Sequence, residues 1–62
     1  MYDYENYNRI SNRISCLASM IDTRKSALCM CRDAEMRKNI QEEIDNLEKQ
    51  VDECRNELKK FM

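Results

Sequence analysis

The chain has 62 residues, of which 37 % are charged and 42 % are hydrophobic, and its formal net charge is −1. A chain of this length forms one small domain, residues 1–62, that leaves a large share of its surface in water. The near-neutral charge excludes a general electrostatic attraction to nucleic acid or acidic membranes, and no stretch approaches the roughly 20 apolar residues of a membrane-spanning helix.

The first segment, MYDYENYNRI, has no apolar run of the kind found in signal peptides, so a cytoplasmic location is expected. It contains three tyrosines, whose rings offer broad contact area and whose hydroxyls can form hydrogen bonds. We therefore predict Tyr2, Tyr4 and Tyr7 as partner-binding residues. The alternative is that Tyr7 closes the end of a helical core while Tyr2 and Tyr4 fray.

Apolar side chains recur in steps of three and four through the first half of the chain. The positions are Tyr7, Ile10, Ile14, Leu17, Ile21, Arg24, Leu28 and Cys31, and Arg24 is the polar exception. This spacing predicts an amphipathic helix over residues about 4–31.

The second half has the same kind of spacing and is rich in residues that favour helix. The positions are Ile40, Ile44, Leu47, Val51, Cys54, Leu58 and Phe61. They predict a helix over residues about 34–61. Asp33 is the predicted N-cap, and Glu35 follows in the first turn, where negative charge suits the helix dipole.

The two runs do not share a phase. Continuing the first past Cys31 would place Glu35 and Lys38 in the apolar stripe, whereas the second requires Arg37 and Ile40 there. A slip of two residues moves the stripe almost to the opposite side of a helix. The sequence therefore predicts a turn at residues about 32–35. Because this turn contains no glycine, the usual left-handed C-cap residue, one long helix remains the alternative.

An antiparallel pairing in which residue numbers sum to 68 gives every layer a partner, from Tyr7 with Phe61 to Leu28 with Ile40, and centres the turn on Ala34. The predicted fold is thus all-α, an antiparallel two-helix hairpin with a coiled-coil-like seam. The predicted seam residues are Ile10, Ile14, Leu17, Ile21, Leu28, Ile40, Ile44, Leu47, Val51, Leu58 and Phe61.

Helix one carries apolar residues outside the seam that helix two lacks. Cys16, Met20, Ala27 and Met30 are the predicted dimer interface, through which two hairpins would form a four-helix bundle. The alternative is that these side chains are ordinary surface residues.

The four cysteines raise the possibility of a metal or redox site. A structural zinc site needs four converging ligands, but the chain has no histidine, and Cys16 lies about 20 Å along the helix from Cys29. We therefore predict no metal and no cofactor. Cys29 and Cys31 are the candidate residues for the alternative function, a cysteine-based metal or redox sensor. Cys16 and Cys54 could complete their ligand set only in a site shared between two chains.

No catalytic residues are predicted, because the chain lacks histidine and glycine-rich phosphate loops. The expected function is a non-enzymatic protein–protein interaction module that occludes or scaffolds a larger protein, as a regulator or inhibitor. Its small size would suit a phage or mobile element. A third alternative, weak nucleic-acid binding, would use Arg9, Arg13, Arg24, Lys25 and Arg32.

Overall fold

A computed structural model of the chain describes residues 3–61. Helix α1 spans Tyr4–Met30 and helix α2 spans Ala34–Leu58, and a short 3-10 turn at Lys59–Phe61 follows α2. No strand occurs in this part of the chain. The two helices pack against each other along their lengths, which confirms the predicted all-α helical hairpin.

Helix α1 begins at a cap that the sequence analysis missed. The Asp3 carboxylate accepts hydrogen bonds from the backbone N–H of Asn6 at 3.2 Å and from its side-chain amide at 2.6 Å. The Asp3 carbonyl accepts the N–H of Tyr7. An Asp followed three residues later by a polar side chain is the pattern that could have identified this helix start.

Helix α2 begins at the predicted cap. The Asp33 carboxylate accepts the backbone N–H of Met36 at 3.3 Å, and Glu35 lies in the first helical turn. One of the otherwise unpaired N–H groups of the helix start is thereby satisfied.

The core is a single apolar seam between the helices. Ile10 and Ile44 are the most deeply enclosed large side chains of the seam, each 1 % exposed. The other buried members are Leu17, Ile21, Leu47, Val51 and Cys54, and the half-buried residues packed against them are Ile14, Leu28, Ile40, Leu58 and Phe61. Every predicted seam residue lies in this cluster, and Cys54 joins it as a small apolar side chain.

The hairpin is elongated, with extents of 51 × 14 × 10 Å and a radius of gyration of 14.6 Å. A compact domain of this length has a radius of gyration of about 11 Å. The difference arises because one layer of two helices cannot close into a globule. Each helix therefore keeps a broad face in contact with solvent.

The connection at residues 31–33 turns the chain without glycine. Cys31 and Asp33 are both extended, and no residue in 3–61 has a positive φ. Arg37 caps the end of α1: its Nη1 donates to the carbonyl oxygen of Leu28, in the last turn of α1, and to that of Cys31, the residue after the helix, each at 2.8 Å. A guanidinium thus performs the capping that a left-handed glycine usually provides.

The position of the turn differs from the simple pairing rule. A sum of 68 centres the turn on Ala34, whereas α2 begins at that residue. In this register Met30 is level with Lys38, so the first turn of α2 extends past the end of α1. That overhang places Arg37 over the last carbonyls of α1.

We expect Arg37→Gln to destabilise the hairpin by about 1–2 kcal/mol, because two carbonyls would lose a charged donor. Urea denaturation followed by circular dichroism measures the change. Lys38→Gln is the matched control, since Lys38 is exposed and makes no comparable contact with α1. An equal loss in both variants would contradict a capping role for Arg37.

Candidate interaction surface

Two open grooves run along the hairpin, one on each side of the seam, with volumes of about 260 and 280 Å³. Ala18 of α1 and Val51 and Asp52 of α2 line the first groove. Arg13 of α1 and Glu53 and Cys54 of α2 line the second. The register follows from the contact between Arg24 and Glu43, whose residue numbers sum to 67, in agreement with the predicted antiparallel pairing.

Helix α1 carries a second stripe of mostly apolar residues beside the seam, which we call the methionine stripe. Its members are Cys16, Met20, Thr23, Ala27 and Met30, spaced by steps of four and three. At about 100° per residue they fall within roughly 80° of helix circumference, centred about 120° from the seam. The four predicted dimer-interface residues therefore share one face, and Thr23 is a member that the sequence analysis missed.

The methionine stripe is exposed. Met20 is 46 % exposed and Met30 is 83 % exposed, and Cys16 and Ala27 are exposed as well. Met36, at the start of α2, is 56 % exposed, and its heptad position belongs to the same side of the hairpin. The three exposed methionines of residues 3–61 thus lie on one flank, and exposed apolar side chains concentrated on one side of a small protein favour a contact surface there.

The polar members of the stripe are compatible with burial against a partner. The Thr23 hydroxyl donates to the Ser19 carbonyl at 3.0 Å. Its hydrogen-bonding need is therefore met within α1, and its methyl group remains available for packing. Burial of Thr23 would leave no unsatisfied donor.

The opposite flank of α1 is more polar. Ala18, Asp22 and Lys25 line the first groove, facing Glu48 and Asp52 of α2. Cys29 belongs to this flank by its position on the helix. The apolar excess of α1 is therefore one-sided, which favours a single additional contact rather than two.

Arg24 occupies a seam position and reaches out to solvent. Its Nε lies 2.7 Å from Oε2 of Glu43, and both side chains are about half exposed. The N–H is poorly aligned with the carboxylate, so the contact is an ion pair rather than a hydrogen bond. Glu43 of α2 is thus the partner of Arg24 in this layer. An exposed pair of this kind contributes about 0–1 kcal/mol.

We expect Arg24→Leu to stabilise the hairpin by about 1 kcal/mol, because added apolar contact in the seam outweighs the lost surface ion pair. Urea denaturation measures the gain. Lys25→Leu, one residue along on the polar flank, should change stability by less than about 0.5 kcal/mol. A loss of stability in Arg24→Leu would show that Arg24 is needed in its layer.

The tyrosine end of the hairpin lies at the start of α1. Tyr4 is exposed and Tyr7 is half-buried. The predicted partner-binding residue Tyr2 lies outside the described residues. Tyr4 thus presents an aromatic ring beside the acidic side chains of Asp3 and Glu5.

The structure places the four cysteines apart. Cys16 and Cys29 are exposed on different sides of α1, Cys31 is half-buried in the connection, and Cys54 is in the core. The Cys31 thiol lies 3.6 Å from the Asp33 carbonyl oxygen. Within residues 3–61, no three Cys, Asp or Glu side chains converge in a way that could hold a metal ion.

The basic residues proposed for nucleic-acid contact are also dispersed. Arg9 and Arg13 line the second groove beside Glu53 and Glu57. Arg24 is paired with Glu43, while Lys25 lies on the other flank and Arg32 lies in the connection. No single positive surface results from this distribution.

The exterior of α2 is predominantly acidic. The helix contains eight acidic and four basic side chains, and most of the acidic ones are exposed. Its apolar residues are confined to the seam, apart from Ala34 and Met36 at its start. This face offers charge complementarity to a basic surface.

None of the helices in residues 3–61 has both the length and the apolar character needed to cross a membrane. In three comparisons, the chain matches no protein-family model, no curated protein sequence and no solved structure.

Proposed function

We propose that this chain is a small non-enzymatic interaction module that forms a homodimeric four-helix bundle and acts by binding, and so occluding or scaffolding, a larger protein. The observation that carries the proposal is the division of its surface. One flank of α1 is apolar and exposed, whereas the outer face of α2 is acidic.

The architecture supports contact rather than chemistry as the mode of action. The side chains of the seam fill the space between the helices, and the two grooves beside it are open to solvent. Small-molecule sites enclose most of their ligand in a cleft or cavity. A protein partner, in contrast, can cover a long, narrow surface such as this hairpin.

The homodimer assigns different roles to the two surfaces. The methionine stripe would be covered by a second copy, which leaves the acidic exterior of α2 and the tyrosine end available to a target. A basic surface on that target would complement α2 and accelerate association. Tyr4 would add an aromatic anchor at one end of the contact.

Site-specific photo-crosslinking in lysate of the cells that express the chain tests target binding. A photoreactive amino acid would replace Asn8, beside the tyrosine end, or Glu42, on the exterior of α2. We expect an adduct heavier than the homodimer, which excess unlabelled protein suppresses by competition.

Ser26 is the matched control position, because it is an exposed residue of α1 that lies 18 residues from Asn8 and on the outer face of the helix opposite Glu42. It should give no competed heavy adduct. Absence of such an adduct from both Asn8 and Glu42 would contradict the proposed target binding. Equal labelling from Ser26 would contradict the assignment of these two surfaces.

Light scattering on a sizing column tests the dimer separately. In the presence of reductant and chelator, we expect a solution mass twice the chain mass of 7.5 kDa. A monomer would contradict the homodimer, and a dimer that chelator dissociates would favour a metal site shared between two copies.

A further inference from the structure

We propose that the occupant of the methionine stripe is a second copy of the chain docked antiparallel to the first, with Cys16 opposite Ala27 and Met20 opposite Thr23 of that copy. This inference rests on the homodimer proposed above and specifies its orientation and register.

The area left exposed matches what a dimer requires. The chain exposes 5050 Å², whereas a typical folded monomer of 7.5 kDa exposes about 4200 Å². The excess of roughly 800 Å² is close to the area that each partner buries in an interface of standard size. A second hairpin laid along α1 would therefore bring the exposed surface back to an ordinary value.

The spacing of the methionine stripe allows the stripes of two copies to pair in antiparallel orientation. In an antiparallel pair of α1 helices, four of the five stripe residues meet another stripe residue when the two residue numbers sum to 43. Cys16 then faces Ala27, Met20 faces Thr23, and Arg13 faces Met30. The central layer sets the long Met20 side chain against the shorter Thr23, and the next layer sets two small side chains, Cys16 and Ala27, against each other. Both arrangements allow the two helices to approach closely.

Charge favours the antiparallel orientation over the parallel one. The stripe continues towards the start of α1 through Arg13 and Arg9, which have the same spacing. A parallel dimer would place each of these arginines beside its own copy. In the antiparallel register the two Arg13 side chains are 17 positions apart, about 25 Å along the helices and beyond the screening length of roughly 8 Å.

Cysteine cross-linking tests this register. The variant combines Cys29→Ser and Cys31→Ser with Ala27→Cys, and it keeps Cys16 and the buried Cys54. With diamide as oxidant, we expect most of the protein to become a covalent dimer in which Cys16 is linked to the thiol introduced at position 27. The two positions are 11 residues apart in one helix, about 16 Å, so this bond can form only between copies.

The matched control replaces Ala27→Cys by Lys25→Cys, which places the new thiol on the opposite flank of α1. We expect at least a tenfold lower yield of covalent dimer from this control. Circular dichroism would confirm that both variants remain helical.

The possible failures are distinguishable. A Cys16–Cys16 bond as the main product would overturn the antiparallel register in favour of a parallel dimer. A dimer by light scattering that yields no cross-link from position 27 would overturn the stripe as the interface. A monomer would overturn both this inference and the homodimer, while target binding stays testable by photo-crosslinking.

Discussion

The variant Ile44→Ala should lose most of its cooperative unfolding transition. Ile44 is 1 % exposed and belongs to the apolar seam between the two helices of residues 3–61. Truncating a buried isoleucine to alanine costs about 2–5 kcal/mol, because apolar contact is lost and a cavity is left behind. A chain of this length has a total stability of only about 3–9 kcal/mol. The melting temperature followed by circular dichroism should therefore fall by about 8 °C or more.

Two further variants test whether the loss of stability is specific to the apolar seam. Ile44→Val removes one methyl group and should cost about 1 kcal/mol. Met36→Ala truncates an exposed side chain of the same helix and should change stability by less than about 0.5 kcal/mol. All three proteins must be compared at one concentration, because dimerisation couples to unfolding. Similar losses of stability in Ile44→Ala and Met36→Ala would contradict the conclusion that the seam provides most of the stability of the hairpin.

The seam could be predicted because it depends on the regular spacing of apolar residues within each half of the chain. Ile10 and Leu58 each belong to a run with heptad spacing, and one pairing rule aligns both runs. Burial then follows from geometry, since a helix with a single apolar stripe can hide it only against another helix. The same logic located the cap at Asp33, where a short acidic side chain precedes the second run.

The construction of the turn could not be predicted in the same way. Arg37 looks like a polar interruption of the second run, yet it binds carbonyl groups six and nine residues earlier in the chain. That contact depends on how far α2 extends past the end of α1, which is a property of the three-dimensional path. The absence of glycine in the connection was therefore compatible with a hairpin, although the sequence alone left a single long helix open.

The candidate surface, like the hairpin, could be predicted from the sequence only in part. The excess of apolar residues on α1 is visible in the sequence, as Cys16, Met20, Ala27 and Met30. The structure adds that the exposed methionines share one flank with Met36 and that the Thr23 hydroxyl is already satisfied. The target of the acidic face of α2 depends on the chemistry of another molecule, which neither the spacing nor the packing of this chain specifies.

Introducing a charge into the methionine stripe should separate the proposed dimer. In the antiparallel register Met20 lies next to the two-fold axis, so Met20→Lys would bring two ammonium groups close together in an apolar interface. Burial of unpaired charge and like-charge repulsion both oppose association. We expect the dissociation constant to rise at least 100-fold, which corresponds to about 2.8 kcal/mol.

The folded hairpin itself should survive this substitution. Met20 is 46 % exposed and lies outside the seam, and lysine favours helix about as well as methionine does. Circular dichroism should therefore show a helical monomer, whose melting temperature no longer depends on protein concentration. Sedimentation equilibrium across a range of concentrations gives the dissociation constant directly.

Ala18→Lys provides the decisive comparison because it adds the same charge to the same helix on the opposite flank. Its new ammonium group would lie near Glu48 and Asp52, so association through the methionine stripe should be unaffected. A dimeric Met20→Lys protein beside a monomeric Ala18→Lys protein would instead place self-association in the first groove. If both variants remained dimers, neither flank of α1 would be the interface, and the acidic exterior of α2 could no longer be assigned to the target alone.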